Sequence, residues 1–331
     1  MRISFNDVQE TLGKVLLKYG FQPDKAQTLS NIFAESSLDG VYSHGLNRFP
    51  RFIKNVRDGI VKIDAEPEKI SSYGNIEQWN GNLGPGILNA LSCMSSAMNI
   101  AKSAGIGCVA LSNTNHWMRG GTYGWKAAEN GFIGICWTNT EPNMVAWGSK
   151  SSVLGNNPLI IAIPRKEGNI VLDTAMSQYS YGKMQTYADE GKELEFFGGL
   201  DSDSALTRNP KEIINNESAL PIGFWKGSGL SLVLDIIAAI LAKGDPTHQI
   251  GLRNEEYGLS QVFISIKIDW LNKKFITKII QEVIQNLHSA EPAHKGGKTY
   301  YPGERTLITR IENIKLGIPV NKEIWSTISK L

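Results

Sequence analysis

Residues 158–175 read PLIIAIPRKEGNIVLDTA. Two β-prone runs, 158–164 and 169–175, are joined by the turn Arg165-Lys166-Glu167-Gly168. So short a link cannot hold the helical crossover that parallel strands need, so the chain is not a plain βαβ repeat. Upstream, GCVALSN (107–113) and GFIGICWTN (131–139) read as strands flanking a helix over 119–129. KISSYGNIEQWNG (69–81) reads as a hairpin turning at Gly74-Asn75. Downstream, a helix covers about 227–242, and QVFISIKID (261–269) alternates, with Val262, Ile264, Ile266 and Ile268 on one face.

The two ends of the chain are helical. Val8, Leu12, Val15, Leu16 and Tyr19 keep helical spacing up to Gly20, and a second helix after Asp24 carries Leu29, Ile32 and Phe33. Ile276, Ile280, Val283 and Leu287 mark another helix, and a last one occupies about 320–330. The expectation is an α+β fold. A helical domain combines 1–70 with about 273–331, and a mixed-sheet domain spans 71–272. The polar stretch 183–222 forms a small irregular subdomain within it.

At 331 residues, 41% hydrophobic and 20% charged, the composition is that of an ordinary globular protein. A net charge of +2, with no runs of Lys or Arg, argues against nucleic-acid or membrane-surface partners. Cys93, Cys108 and Cys136 are far apart, which points to a reducing compartment and away from a cysteine metal site. The polar N-terminus is no signal peptide, and LSLVLDIIAAILA (230–242) reads as too short to span a bilayer and contains Asp235. The expected location is the cytoplasm.

No G-x-G-x-x-G follows a strand; GNLGPG (81–86) and WKGSGLSL (225–232) lack its spacing. Walker A, H-E-x-x-H and G-x-S-x-G patterns are also absent. The chemistry instead concentrates in VYSHGLNRFPRF (41–52). His44 precedes Arg48 by four residues, the spacing of neighbours on a helix face, beside Ser43 and Gly45. A cation next to an imidazole makes sense if an anion sits between them. An Arg fork binds the carboxylate of a 2-keto acid, and a protonated imidazole gives its proton to the carbonyl oxygen as hydride reaches carbon. The plainer reading is a solvated pair on a helix surface.

His116, in SNTNHWMRGGTYGW (112–125), stands where a predicted strand ends and a helix begins, and Gly120 and Gly121 allow close approach of a ligand. It also reads as a buried, hydrogen-bonded histidine packed on Trp117. WKGSG (225–229) opens a helix, where N–H groups and Lys226 suit a phosphate; a glycine-rich helix start in a core fits equally. YPGER (301–305) reads as a charged Pro-Gly turn, and His248, His288 and His294 read as surface residues.

VYSHGLNRFPRF, NHWMRGGTYGW, GICWTN, GNNPLIIAIP, SYGK and GFWKGSGLSLVLD together resemble the type-2 malate/L-lactate dehydrogenase family from the first helix to the last. The W-M-R-G-G-x-Y-G-W form is similar to the branch acting on keto sugar acids. The resemblance implies a non-Rossmann, NAD(P)-binding oxidoreductase that forms homodimers. It makes His44 the proton donor, with Ser43, Arg48 and His116 lining the substrate site. It assigns cofactor contacts to Asn169, Ile170, Val171, Leu172, Asp173, Thr174 and Ala175, to Trp225 and Lys226, and to Gly303, Glu304 and Arg305. The implied reaction is NADH-dependent reduction of a 2-keto sugar acid, NADPH being the alternative cofactor. Two other readings stay open: a malate- or lactate-type enzyme for a smaller 2-keto acid, and a non-catalytic sugar-acid binding protein. The chain departs from the family at Thr140-Glu141-Pro142-Asn143, where an acid nears the expected anion, and YPGER lacks a histidine expected in that turn.

Overall fold

In the computed structural model, residues 1–294 and 296–331 are described. Ser4 caps α1 (Phe5–Lys18) by accepting from the Asp7 N–H, and the helix buries Val8, Leu12, Val15 and Leu16 along one stripe. That stripe packs on α2 (Pro23–Leu38), whose Phe33 ring stands edge-on to Phe49 at 5.1 Å, in α3 (Phe49–Arg57). One apolar core joins these helices to Ile318, Val320 and Ile328 near the C-terminus.

Seven strands form the central sheet: β1 (Glu68–Tyr73), β2 (Ile76–Asn80), β3 (Ile106–Thr114), β4 (Phe132–Thr138), β5 (Leu159–Ile163), β6 (Ile170–Thr174) and β7 (Leu259–Lys267). Their order is β1-β2-β3-β7-β4-β5-β6, and every neighbouring pair is antiparallel except β2–β3. The 158–175 hairpin closes from Leu159↔Thr174 to Ile163↔Ile170 and leaves β6 as an edge. The fold is α+β, as its hairpins predict.

Strand alternation sets which helix lies on which face. Val109, Leu111, Cys136, Ile160 and Phe263 meet α4 (Gly86–Ala104) and α5 (Gly121–Glu129). Ala110, Trp137 and Val262 face the other way, onto Leu234, Ala238 and Ala242. No element is predicted over 86–104, where α4 forms; its buried Ile87, Ala90, Met94, Ala97 and Ala101 keep helical spacing, diluted by serines.

The stretch 183–222, expected to be irregular, is more regular than that. It holds most of α6 (Tyr181–Asp189), all of α7 (Pro210–Asn215) and the strand pair Gly199–Leu200 with Leu206–Thr207. Tyr179, Met184, Leu194, Ile213 and Ala219 give it a core of its own.

The next helix, α8 (Trp225–Ala242), starts earlier than its apolar run suggests and so is long and apolar enough to cross a membrane. Its contacts here are with the sheet. Asp235 accepts from Asn139 Nδ2 and the Thr247 N–H at 2.8 and 2.9 Å, and Ser231 Oγ donates to the Gly155 carbonyl at 2.7 Å. These buried bonds fasten α8 to the ends of the strands. A short α9 (Thr247–Ile250) precedes β7. Then come α10 (Lys273–His288), α11 (Glu304–Leu316), which begins at YPGER, and α12 (Lys322–Lys330), which returns to α1 and α3.

Candidate active site

His44 and Arg48 do not share one α-helix. Tyr42–His44 and Leu46–Arg48 are two 3₁₀ turns meeting at Gly45, and α3 starts only at Phe49. The break has a local cause. The Leu46 N–H donates to Ser37 Oγ of α2 at 2.8 Å, and a Cβ at Gly45 would overlap that hydroxyl. The turn is therefore pressed onto α2, with Ser43, His44 and Arg48 half-buried.

His116 arrives from the sheet, just past the end of β3. Asn115 Nδ2 donates to the carbonyls of Ile60, Leu83 and Gly84 at 3.2, 2.7 and 3.0 Å, which ties the strand end to two loops. Met118, at φ +62°, turns its N–H onto His116 Nδ1 at 2.9 Å. Nδ1 is thus an acceptor, and the proton of neutral His116 lies on Nε2. The glycine-rich 81–86 run has a mechanical task here: a Cβ at Gly86 would overlap the carbonyl oxygens of Asn115 and His116. Gly86→Ala should therefore displace the His116 loop and lower stability by about 1–3 kcal/mol. An unchanged melting temperature would show that the loop yields without cost.

The two rings meet in a stack, centroids 5.9 Å apart and planes at 26°. Ser43 Oγ lies 3.0 Å from His44 Nδ1 and shares a hydrogen bond with it. Like His44, His116 is half-buried. Desolvation, then the charges of Arg48 and Arg119, push His44 down to about 4. Desolvation, with Arg48, His44 and Arg51, holds His116 well below the usual histidine range. Both rings are therefore neutral at pH 7 in the free protein. Among the described residues no carboxylate lies within 4 Å of Arg48, though Arg51 of the same segment pairs with Glu255 at 3.6 Å.

The three segments expected at the cofactor meet along β6. The Val171 N–H donates to the Pro302 carbonyl at 2.8 Å, which sets 303–305 beside Asn169–Val171. Just beyond the other end of β6, the Ile222 N–H donates to the Met176 carbonyl at 2.7 Å, close to Trp225 and Lys226. Leu172, Trp225, Lys226 and Arg305 are exposed. Asp173 and Glu304 are engaged within the protein. Asp173 Oδ2 accepts from the Gly121 N–H at 2.8 Å, so it caps α5, and Glu304 Oε2 accepts from the Tyr301 N–H and lies 3.0 Å from His288 Nε2.

The family model for malate/L-lactate dehydrogenase matches residues 3–329. The 2,3-diketo-L-gulonate reductase of Klebsiella pneumoniae (strain 342) is 42% identical over 333 aligned positions, covering all of both chains. The chain belongs to the malate/L-lactate dehydrogenase family. Solved structures agree. Malate dehydrogenase from Entamoeba histolytica superposes with a TM-score of 0.94 at 25% identity, over 100% of this chain and 96% of that one. Sulfolactate dehydrogenase from Methanocaldococcus jannaschii gives 0.87 at 26%, over 99% and 95%.

Several motifs of this malate/L-lactate dehydrogenase family chain are structural. Asn139 of GICWTN donates to Asp235, and Asn157 of GNNPLIIAIP donates to Ser231 while accepting from the Thr140 N–H at 3.0 Å. Both hold α8 to the sheet. Arg119 of WMRGG is buried and pairs with Asp39, which also accepts from Arg310 at 2.8 Å. Reading the sequence assigns no role to Arg51, Arg119 or Glu256, although all three act on the histidines or on Arg48. Nothing in their local spacing marks them; they converge through contacts between distant segments.

Proposed function

We propose that this protein reduces a 2-keto sugar acid, 2,3-diketo-L-gulonate to 3-keto-L-gulonate, with NADH, as a cytoplasmic homodimer. The observation that carries the reading is the stacked, neutral His44–His116 pair beside an Arg48 that, among the described residues, has no carboxylate within 4 Å, in a chain alike along its length to 2,3-diketo-L-gulonate reductases. Exposed Trp225 and Leu172 suit flat rings, and exposed Lys226 and Arg305 suit a pyrophosphate. The apolar outer side of α8, with Leu232, Val233, Ile236 and Ile240 exposed, supports a second subunit.

The nicotinamide, when bound, supplies hydride to the keto carbon. Arg48 grips the substrate carboxylate with its fork and so orients the C2 carbonyl. That added negative charge offsets Arg48 and raises the proton affinity of His44. His44 then delivers its proton to the carbonyl oxygen, while His116 donates a hydrogen bond from Nε2 to the same oxygen.

Following the absorbance of NADH with 2,3-diketo-L-gulonate, oxaloacetate and pyruvate in turn tests this. Fast loss with the sugar acid is expected. Faster loss with oxaloacetate or pyruvate would favour a malate- or lactate-type enzyme, and none with any acid a binding protein. Running the same assay with NADPH settles the cofactor. Lys226→Glu should raise the Kd for NADH roughly 3- to 10-fold, since it reverses an exposed charge near the pyrophosphate. An unchanged Kd in a fluorescence titration removes Lys226 from the cofactor site.

A further inference from the structure

Glu141 follows β4, where the chain runs Asn139-Thr140-Glu141-Pro142-Asn143. Its neighbours are pinned. The Thr140 N–H donates to Asn157 Oδ1 at 3.0 Å, and Tyr181 Oη donates to the Asn143 carbonyl at 2.5 Å. Gly182, next to Tyr181, packs so directly on Ser43 that a Cβ there would overlap its side chain. This chain of contacts brings 141–143 up to the His44 turn.

A second acid closes the other side. The Glu141 N–H donates to Glu256 Oε1 at 3.3 Å, and Glu256 is buried. Its neighbour Glu255 reaches Lys54 Nζ at 2.8 Å and Arg51 Nη2 at 3.6 Å, so the 251–258 loop is docked on α3. Glu141 and Glu256 thus face the 48–51 segment, with neither within 4 Å of a cation among the described residues. Glu217 and the two arginines complete the charges around Glu141, and burial with Glu256 beside it raises its carboxyl to about 7.

The consequence concerns the part of the substrate beyond the carboxylate held by Arg48. A second carboxylate there meets two acids in a poorly solvated place, and like-charge contact of that kind is strongly unfavourable. Hydroxyl groups instead find carboxylate oxygens to donate to. We propose that Glu141, backed by Glu256, is a specificity-determining residue that selects hydroxylated monocarboxylates and repels dicarboxylates. This deepens the function proposed above and rests on its placement of the substrate carboxylate at Arg48.

The test is calorimetric and needs no turnover: the full chain is titrated with L-gulonate and with malate at pH 8, where Glu141 is mostly ionised. The wild type should bind L-gulonate more tightly. Glu141→Gln, which keeps a hydrogen-bond acceptor and loses the charge, should tighten malate about 10-fold and change L-gulonate by less than about threefold. Glu141→Leu should also weaken L-gulonate about 10-fold. A malate-to-gulonate ratio that moves less than about twofold in both variants overturns the assignment, as does wild type that prefers malate or binds neither acid. A shifted ratio in a protein that reduces no keto acid sinks the reductase reading and keeps the selectivity. Full reductase activity with an unmoved ratio does the reverse.

Discussion

His44→Asn is expected to lower kcat for keto-acid reduction about 10²- to 10⁴-fold, the usual contribution of a positioned general acid. Asparagine keeps a polar atom near Ser43 Oγ, so the loss reports the proton and not the hydrogen bond at 3.0 Å. The pH profile carries the sharper signature. Reduction needs His44 protonated, and in the free protein it titrates at about 4. The wild-type kcat/KM, which reports the free enzyme, should therefore fall steadily as pH rises across the neutral range. kcat should hold to a higher pH, because the bound carboxylate raises the His44 pKa. His44→Asn should erase this dependence, and His116→Asn should slow the reaction but preserve it. A His44→Asn protein that keeps both its rate and its slope would move the acid role to His116.

The second large effect is expected at Arg48. Arg48→Lys preserves the charge and removes the fork, so the keto acid is held at one point in place of two. Misplacing the carbonyl by about 1 Å is enough to cost 10²-fold, and kcat/KM for the sugar acid should drop by about that factor. The Kd for NADH should not move, because Trp225, Lys226 and the 303–305 segment are left untouched. Wild-type kcat/KM with Arg48→Lys would mean that the substrate carboxylate is bound elsewhere.

The same two positions show how far one-dimensional reading reaches. His44 beside Arg48 was legible because the combination is chemically odd at any spacing. The geometry inferred from that spacing is not the observed one: Gly45 lies against Ser37 of α2, and this contact, made by a residue of the preceding helix and unseen in the local pattern, splits the segment into two 3₁₀ turns. Likewise GNLGPG shows in sequence only that it lacks the spacing of a dinucleotide-binding loop, while in the fold its last glycine leaves room for the Asn115 and His116 carbonyls.

By itself the sequence determined what depends on neighbours along the chain. The four-residue turn at 165–168 makes β5 and β6 antiparallel, alternation through 261–269 orients β7, and a helical stripe buries α1 on one side. These follow from backbone period and turn chemistry, which act over a few residues. Only the tertiary structure decided the order β3-β7-β4, which inserts a late strand between two early ones, and the meeting of His116 with His44. It alone placed Glu256 behind Glu141, and gave Asp173 to the N-terminus of α5. Those pairings join segments far apart in the chain, and their free energy comes from burial and desolvation, quantities that exist only once the layers have closed on each other.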